Sequence, residues 1–155
     1  MADPKFDFSH LSVGERVARY TLYQVMGEPY MEVVHAGESN KPYFNALLRR
    51  SRKNMRRLRA GAVDATTLSD NRDEDRNLYP RYIVKAWGCE KKDGVILDSA
   101  GKMIPFSQEN VSTFLKALPN WLFDELRLFA GEESNFLDDF EEGEEIPDSE
   151  AVSGN

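Results

Sequence analysis

Four carboxylates crowd one short polar run, Asp70, Asp73, Glu74 and Asp75, and carboxylates so close together could hold a divalent metal for hydrolysis. A two-metal clamp also needs a second acidic cluster at the end of a strand, and none is present, so the run reads more simply as solvated charge. Ser107 lies outside any strand-to-helix elbow motif and has a capping position instead. No GxxxxGK[ST] or GxGxxG phosphate loop occurs. Cys89 is the single cysteine, and His10 and His35 are the two histidines. No internal disulfide and no metal-ligand spacing can be drawn from that set, and Cys89 reads as a small hydrophobe. No catalytic residue, metal or cofactor is expected, and the expected activity is binding.

The charge distribution supports binding. Residues 41–60 hold eight Lys or Arg and no acid, whereas 132–155 hold ten Asp or Glu and no base, a polarity hidden in the net charge of −7. Residues 41–60 read as a basic amphipathic helix: Asn40 caps it, Pro42 is tolerated in the first turn, and Gly61 follows its end. Phe44, Leu47, Leu48, Met55 and Leu58 form its apolar stripe. Arg49, Arg52, Arg56 and Arg59 stand on the charged side. A solvated face is the plainest use for them. Of the binding uses, an acidic protein surface is preferred to nucleic-acid phosphates, because the chain is acidic (pI 4.9) and no aromatic alternates with the arginines to stack a base. The acidic surface could be the chain's own tail, in the same subunit or a neighbour, so a homo-oligomer is a possible state.

The elements that would position these residues are legible from period and punctuation. Ala18–Val25 and Tyr30–Ala36 read as a hairpin around Met26-Gly27-Glu28-Pro29, with a helix over Val13–Met26 nearly as good by spacing. The stretch from Ala62 to Asn77 reads as a linker and the solvated start of the next helix. Leu78, Tyr79, Tyr82, Ile83, Ala86 and Trp87 fit one helical stripe if Pro80 sits in its first turn; otherwise Tyr82–Trp87 is a short buried strand. Val95–Leu97 and Met103–Phe106 read as paired strands. Ser107 then caps a helix with Glu109 in its first turn, Pro119 stops that helix, and Asn120 caps the next, which Gly131 ends. Trp87, Phe106, Trp121 and Phe129 are the expected core.

Trp87-Gly88, Gly101-Lys102, Pro105-Phe106-Ser107, Glu109-Asn110, Leu118-Pro119, Phe123-Asp124 with Leu126, and Asn135-Phe136 follow one another in residues 87–136. This order resembles a group of small tailed-phage proteins regarded as tail assembly chaperones or related morphogenesis proteins. The chain departs from the pattern in a longer Cys89–Ser99 hairpin and an extended acidic tail. The resemblance implies phage tail proteins as partners, the tape-measure protein or the tube subunit. A structural head or tail component kept in the virion, and a phage-encoded inhibitor of a host defence enzyme, are the alternatives.

The expected fold is α+β, a predominantly helical single domain over 1–137 with a small β-hairpin element. Within it, 78–137 forms a hairpin plus helix pair, and 138–155 is a disordered acidic tail too poor in apolar residues to offset its ordering entropy. No run approaches a membrane span and no signal-peptide core is visible, so the host cytoplasm is the expected location. The expected partner-binding residues are Trp87, Phe106, Trp121, Phe123 and Phe136 with Arg49, Arg52, Arg56 and Arg59, because a chain of 155 residues buries only part of so many aromatics.

Overall fold

In a computed structural model, residues 4–50, 52 and 65–137 are described. Strands β1 (Val17–Thr21) and β2 (Tyr30–Val34) form an antiparallel hairpin, which decides between the two readings of this region. The turn is reached through positive φ at Gly27 (84°) and Glu28 (47°). Strand β3 (Val84–Gly88) pairs antiparallel with the other side of β2, giving the order β1-β2-β3. Central β2 buries four of its five residues, as a strand paired on both sides and covered by helices should. Strands β4 (Val95–Leu97) and β5 (Met103–Pro105) form a separate two-stranded ladder. The fold is thus α+β with more strand than one small hairpin.

Gly88 ends β3 for a steric reason. A Cβ there would overlap the ring of Tyr30, whose hydroxyl donates to Asp93. Only glycine lets that ring cross the strand and tie β2 to the β3–β4 turn.

Four helices are bounded among the described residues: α1 (Lys41–Arg50), α2 (Ala65–Tyr82), α3 (Gln108–Ala117) and α4 (Asn120–Gly131). The Asn40 side chain accepts from the Tyr43 N–H at 3.3 Å, and Ser107 Oγ from the Asn110 N–H at 3.0 Å, so both expected caps form. The basic helix is described only to Arg50, with Arg52 also helical; Met55, Arg56, Leu58, Arg59 and Gly61 lie outside the described residues, as does the tail from 138. The inner face of α1 is Tyr43 and Ala46, while Leu48 is 39% exposed, so the expected apolar stripe is rotated toward Tyr43.

The segment read as a linker and the solvated start of a helix is helical from Ala65, and its solvation is the larger correction. Asp70–Arg76 lies inside α2, and Asp75 and Arg76 are buried. Arg72, Asp75, Arg76, Tyr79 and Ile83 keep a helical three-and-four spacing, but polar groups fill three of the five places and hide it from a hydrophobicity search. Pro80 falls in the last turn of α2, not the first, so its missing N–H removes a bond where the helix is about to end. The chain then enters β3, and the strand alternative for Tyr82–Trp87 is the one that holds from Val84 onward.

One apolar cluster joins the sheet to the helices. Trp87 is met edge-on by Phe106 at 5.8 Å and Phe114 at 5.9 Å, and Tyr79 sits between Tyr43 at 6.0 Å and Phe123 at 5.5 Å. Trp121, expected in this core, is 55% exposed. Leu122, Phe123, Leu126 and Ala130 form the buried face of α4, and Trp121 falls on the opposite side. No helix among the described residues is long and apolar enough to cross a membrane.

Substituting Phe123 by Ala is expected to cost about 3–5 kcal/mol, whereas Trp121→Ala should stay within about 0.5 kcal/mol of the parent. Urea denaturation of the two variants checks this; equal losses would return Trp121 to the core.

Candidate partner-binding surface

Helix α4 is held from below by two arginines and a carboxylate of α2. The Arg76 guanidinium donates to the carbonyl oxygens of Leu115, of Lys116 at 3.1 Å and of Leu118 at 3.0 Å, and to Asn120 Oδ1 at 2.7 Å. These carbonyls belong to the end of α3, where the helix has no further N–H to offer and its dipole favours a cation. Asn120 was expected to cap α4, but its amide oxygen serves Arg76 and α4 has no side-chain cap. The same guanidinium lies 4.9 Å above the Phe123 ring.

Next to Arg76 in the chain, Asp75 accepts from the Tyr43 hydroxyl at 2.7 Å and from Arg127 Nε at 2.8 Å. Arg127 also reaches Asp124 at 3.1 Å, and Arg72 grips both oxygens of Asp124 at 2.9 and 2.8 Å. Burial pushes the Asp75 carboxyl above its ordinary range, outweighing Tyr43 and Arg127. The Arg72 hydrogen bond holds Asp124 below its own. Burial, followed by the Asp75 charge, drives the Tyr43 hydroxyl far up. Tyr43 of α1, Asp75 and Tyr79 of α2, and Asp124, Arg127 and Leu128 of α4 line a groove of about 430 Å³ together with Ala36. Both Asp75 oxygens are already taken by protein donors, so the constellation positions helices and offers no free base.

The far end of α4 is pinned through His35. Its Nε2 lies 3.2 Å from the Gly131 carbonyl, which only accepts, so Nε2 carries the proton and Nδ1 takes the Ser39 hydroxyl at 3.0 Å.

With its inner face fixed, α4 turns Trp121, Glu125 and Leu128 outward along one stripe, spaced four and three residues apart. Trp121 is 55% and Leu128 75% exposed. Arg49 on α1 and the helical Arg52 beyond it are exposed; Arg56 and Arg59 fall outside the described residues. Of the other aromatics expected at a partner surface, Trp87, Phe123 and Phe136 are buried and Phe106 is half-buried. Trp87, Phe123 and Phe136 shape the core under the surface and offer no ring to a partner, and Phe106 packs edge-on against Trp87. The polar set under α4 was missed altogether, although the spacing of Arg72, Asp75, Arg76 and Tyr79 carried a signal for it.

A protein-family model described as YdaY prophage protein matches residues 38–145, from the loop before α1 past the described end of the chain. No curated protein and no solved structure matches.

Replacing Arg127 with Met should cost about 3–5 kcal/mol near neutral pH, because it leaves Asp75 a buried charge without its cation. The Asp75 pKa, already raised on folding, would rise further. The folded variant then binds more protons than the unfolded chain between the two pKa values, so its stability falls as pH rises through that window. Urea denaturation at about pH 7 and about pH 4.5 should show the deficit shrinking in acid; a deficit independent of pH would mean that the loss is one of packing.

Proposed function

The chain belongs to the YdaY prophage protein family and is a small phage protein, and from that premise we propose a non-enzymatic function: it binds phage tail proteins as an assembly chaperone in the host cytoplasm. The observation that carries the binding role is the outward Trp121–Leu128 stripe on a helix whose opposite face is locked by Phe123 and by the Asp124 ion pairs. A large aromatic anchor held on a rigid support loses little freedom when a partner covers it. An amphipathic client helix, such as a tape-measure or tube segment exposes before assembly, has the complementary apolar face. The net charge of −7 would help keep the complex dispersed. The choice of tail proteins as clients is supported by the ordered motifs from Trp87-Gly88 to Asn135-Phe136, which lie inside the family match.

The test is co-expression of the full chain with the tape-measure and tube proteins of its own phage. The parent should retain one of them, while Trp121→Ala and Leu128→Ala should each weaken retention at least about tenfold with thermal unfolding unchanged. Mass spectrometry of purified particles should find no stoichiometric copy of the chain. Failure to bind any tail protein would sink the chaperone reading, and a stoichiometric copy in particles would make it a structural component.

A further inference from the structure

The outward faces of α1 and α4 carry opposite charge. On α1, Lys41, Leu48 and Arg49 are exposed, as is the helical Arg52 beyond its described end, and Arg49 and Arg52 make no ion pair among the described residues. On α4, Glu125 sits between Trp121 and Leu128, and Glu132 and Glu133 follow the end of the helix, all exposed. Each face therefore combines an apolar contact with one sign of charge. The inner face of α1 is fixed through Tyr43 to Asp75, and that of α4 through Asp124 and Arg127 to α2. Neither helix can roll over to meet the other within one subunit.

We propose that the chain self-associates head to tail, the outward face of α1 in one copy docking on the Trp121–Glu125–Leu128 stripe of α4 in the next. The contact joins two different surfaces, so it is heterologous, and repetition closes a ring or extends a filament. This inference rests on the same α4 stripe as the function proposed above and adds what covers it when no client is bound. Client and second copy compete for Trp121.

The experiment is sedimentation velocity of the full chain at about 100 µM, in about 25 mM and about 500 mM salt. The parent should associate in low salt and dissociate in high salt. Arg49→Glu with Arg52→Glu, and separately Glu125→Arg with Glu132→Arg, should each be monomeric in low salt, because both of their faces then carry the same sign. Their thermal unfolding by circular dichroism should match the parent. Mixing the two variants should restore association, since every contact between unlike variants again pairs opposite charges. A parent that is monomeric in both salts, an Arg49→Glu/Arg52→Glu variant that associates like the parent, or a mixture that stays monomeric would each overturn the proposal. So would association of the parent that requires added DNA or RNA. The arginine variant keeps the α4 stripe, so its client binding reports on the chaperone reading separately from self-association.

Discussion

Asp75 and Arg76, side by side and buried on α2, impose the condition that the remaining helices meet. An unpaired charge in an apolar interior costs several kcal/mol, so α2 can be covered only by surfaces that bring the right partners. Tyr43 from α1 and Arg127 from α4 answer Asp75, and the carbonyl end of α3 with Asn120 answers Arg76. An apolar stripe in the same place would accept helices at many angles and registers. The polar one accepts very few, and the angle between α3 and α4 follows from four acceptors around one guanidinium.

That arrangement explains what the sequence does and does not disclose. Ser107 and Asn40 cap through backbone N–H groups three residues away, and local chemistry of this kind is readable in order along the chain. The α2 segment is not readable this way, since its partners stand 32 residues upstream or 39 to 52 residues downstream and Asp or Arg within a polar run looks like solvated surface. Trp121 fails for a different reason. Trp121, Leu122 and Phe123 are consecutive, and a helix sends neighbours to different faces, so composition marks all three as core while geometry allows only two. The exposed surface is therefore half legible: Arg49, Arg52 and Trp121 are named from the sequence and are exposed, Leu128 is not named, and Trp87, Phe123 and Phe136 belong beneath the surface.

Rigidity beneath and exposure above are joined in α4. The side that meets α2 is fixed by rings and ion pairs, and His35 holds the far end. A partner meeting Trp121 and Leu128 encounters a surface that has already lost most of its freedom. The phage family to which the chain belongs is matched from residue 38 onward, a range that contains every helix described here and leaves the β1–β2 hairpin outside.

That hairpin has a consequence in time. β1 and β2 are neighbours in sequence and can pair as soon as both have been synthesised, but the other side of β2 waits for Trp87, the residue opposite Met31. Closing so long an intervening segment costs entropy before the pairing returns anything. Until α2 has collapsed and carried β3 into place, the inner strand of the finished sheet is an uncovered edge, and Tyr30, Met31, Val33 and Val34 face solvent. During synthesis the nascent chain therefore passes through an interval in which the strand most buried in the finished sheet is exposed, and the speed with which α2 docks determines how long that interval lasts.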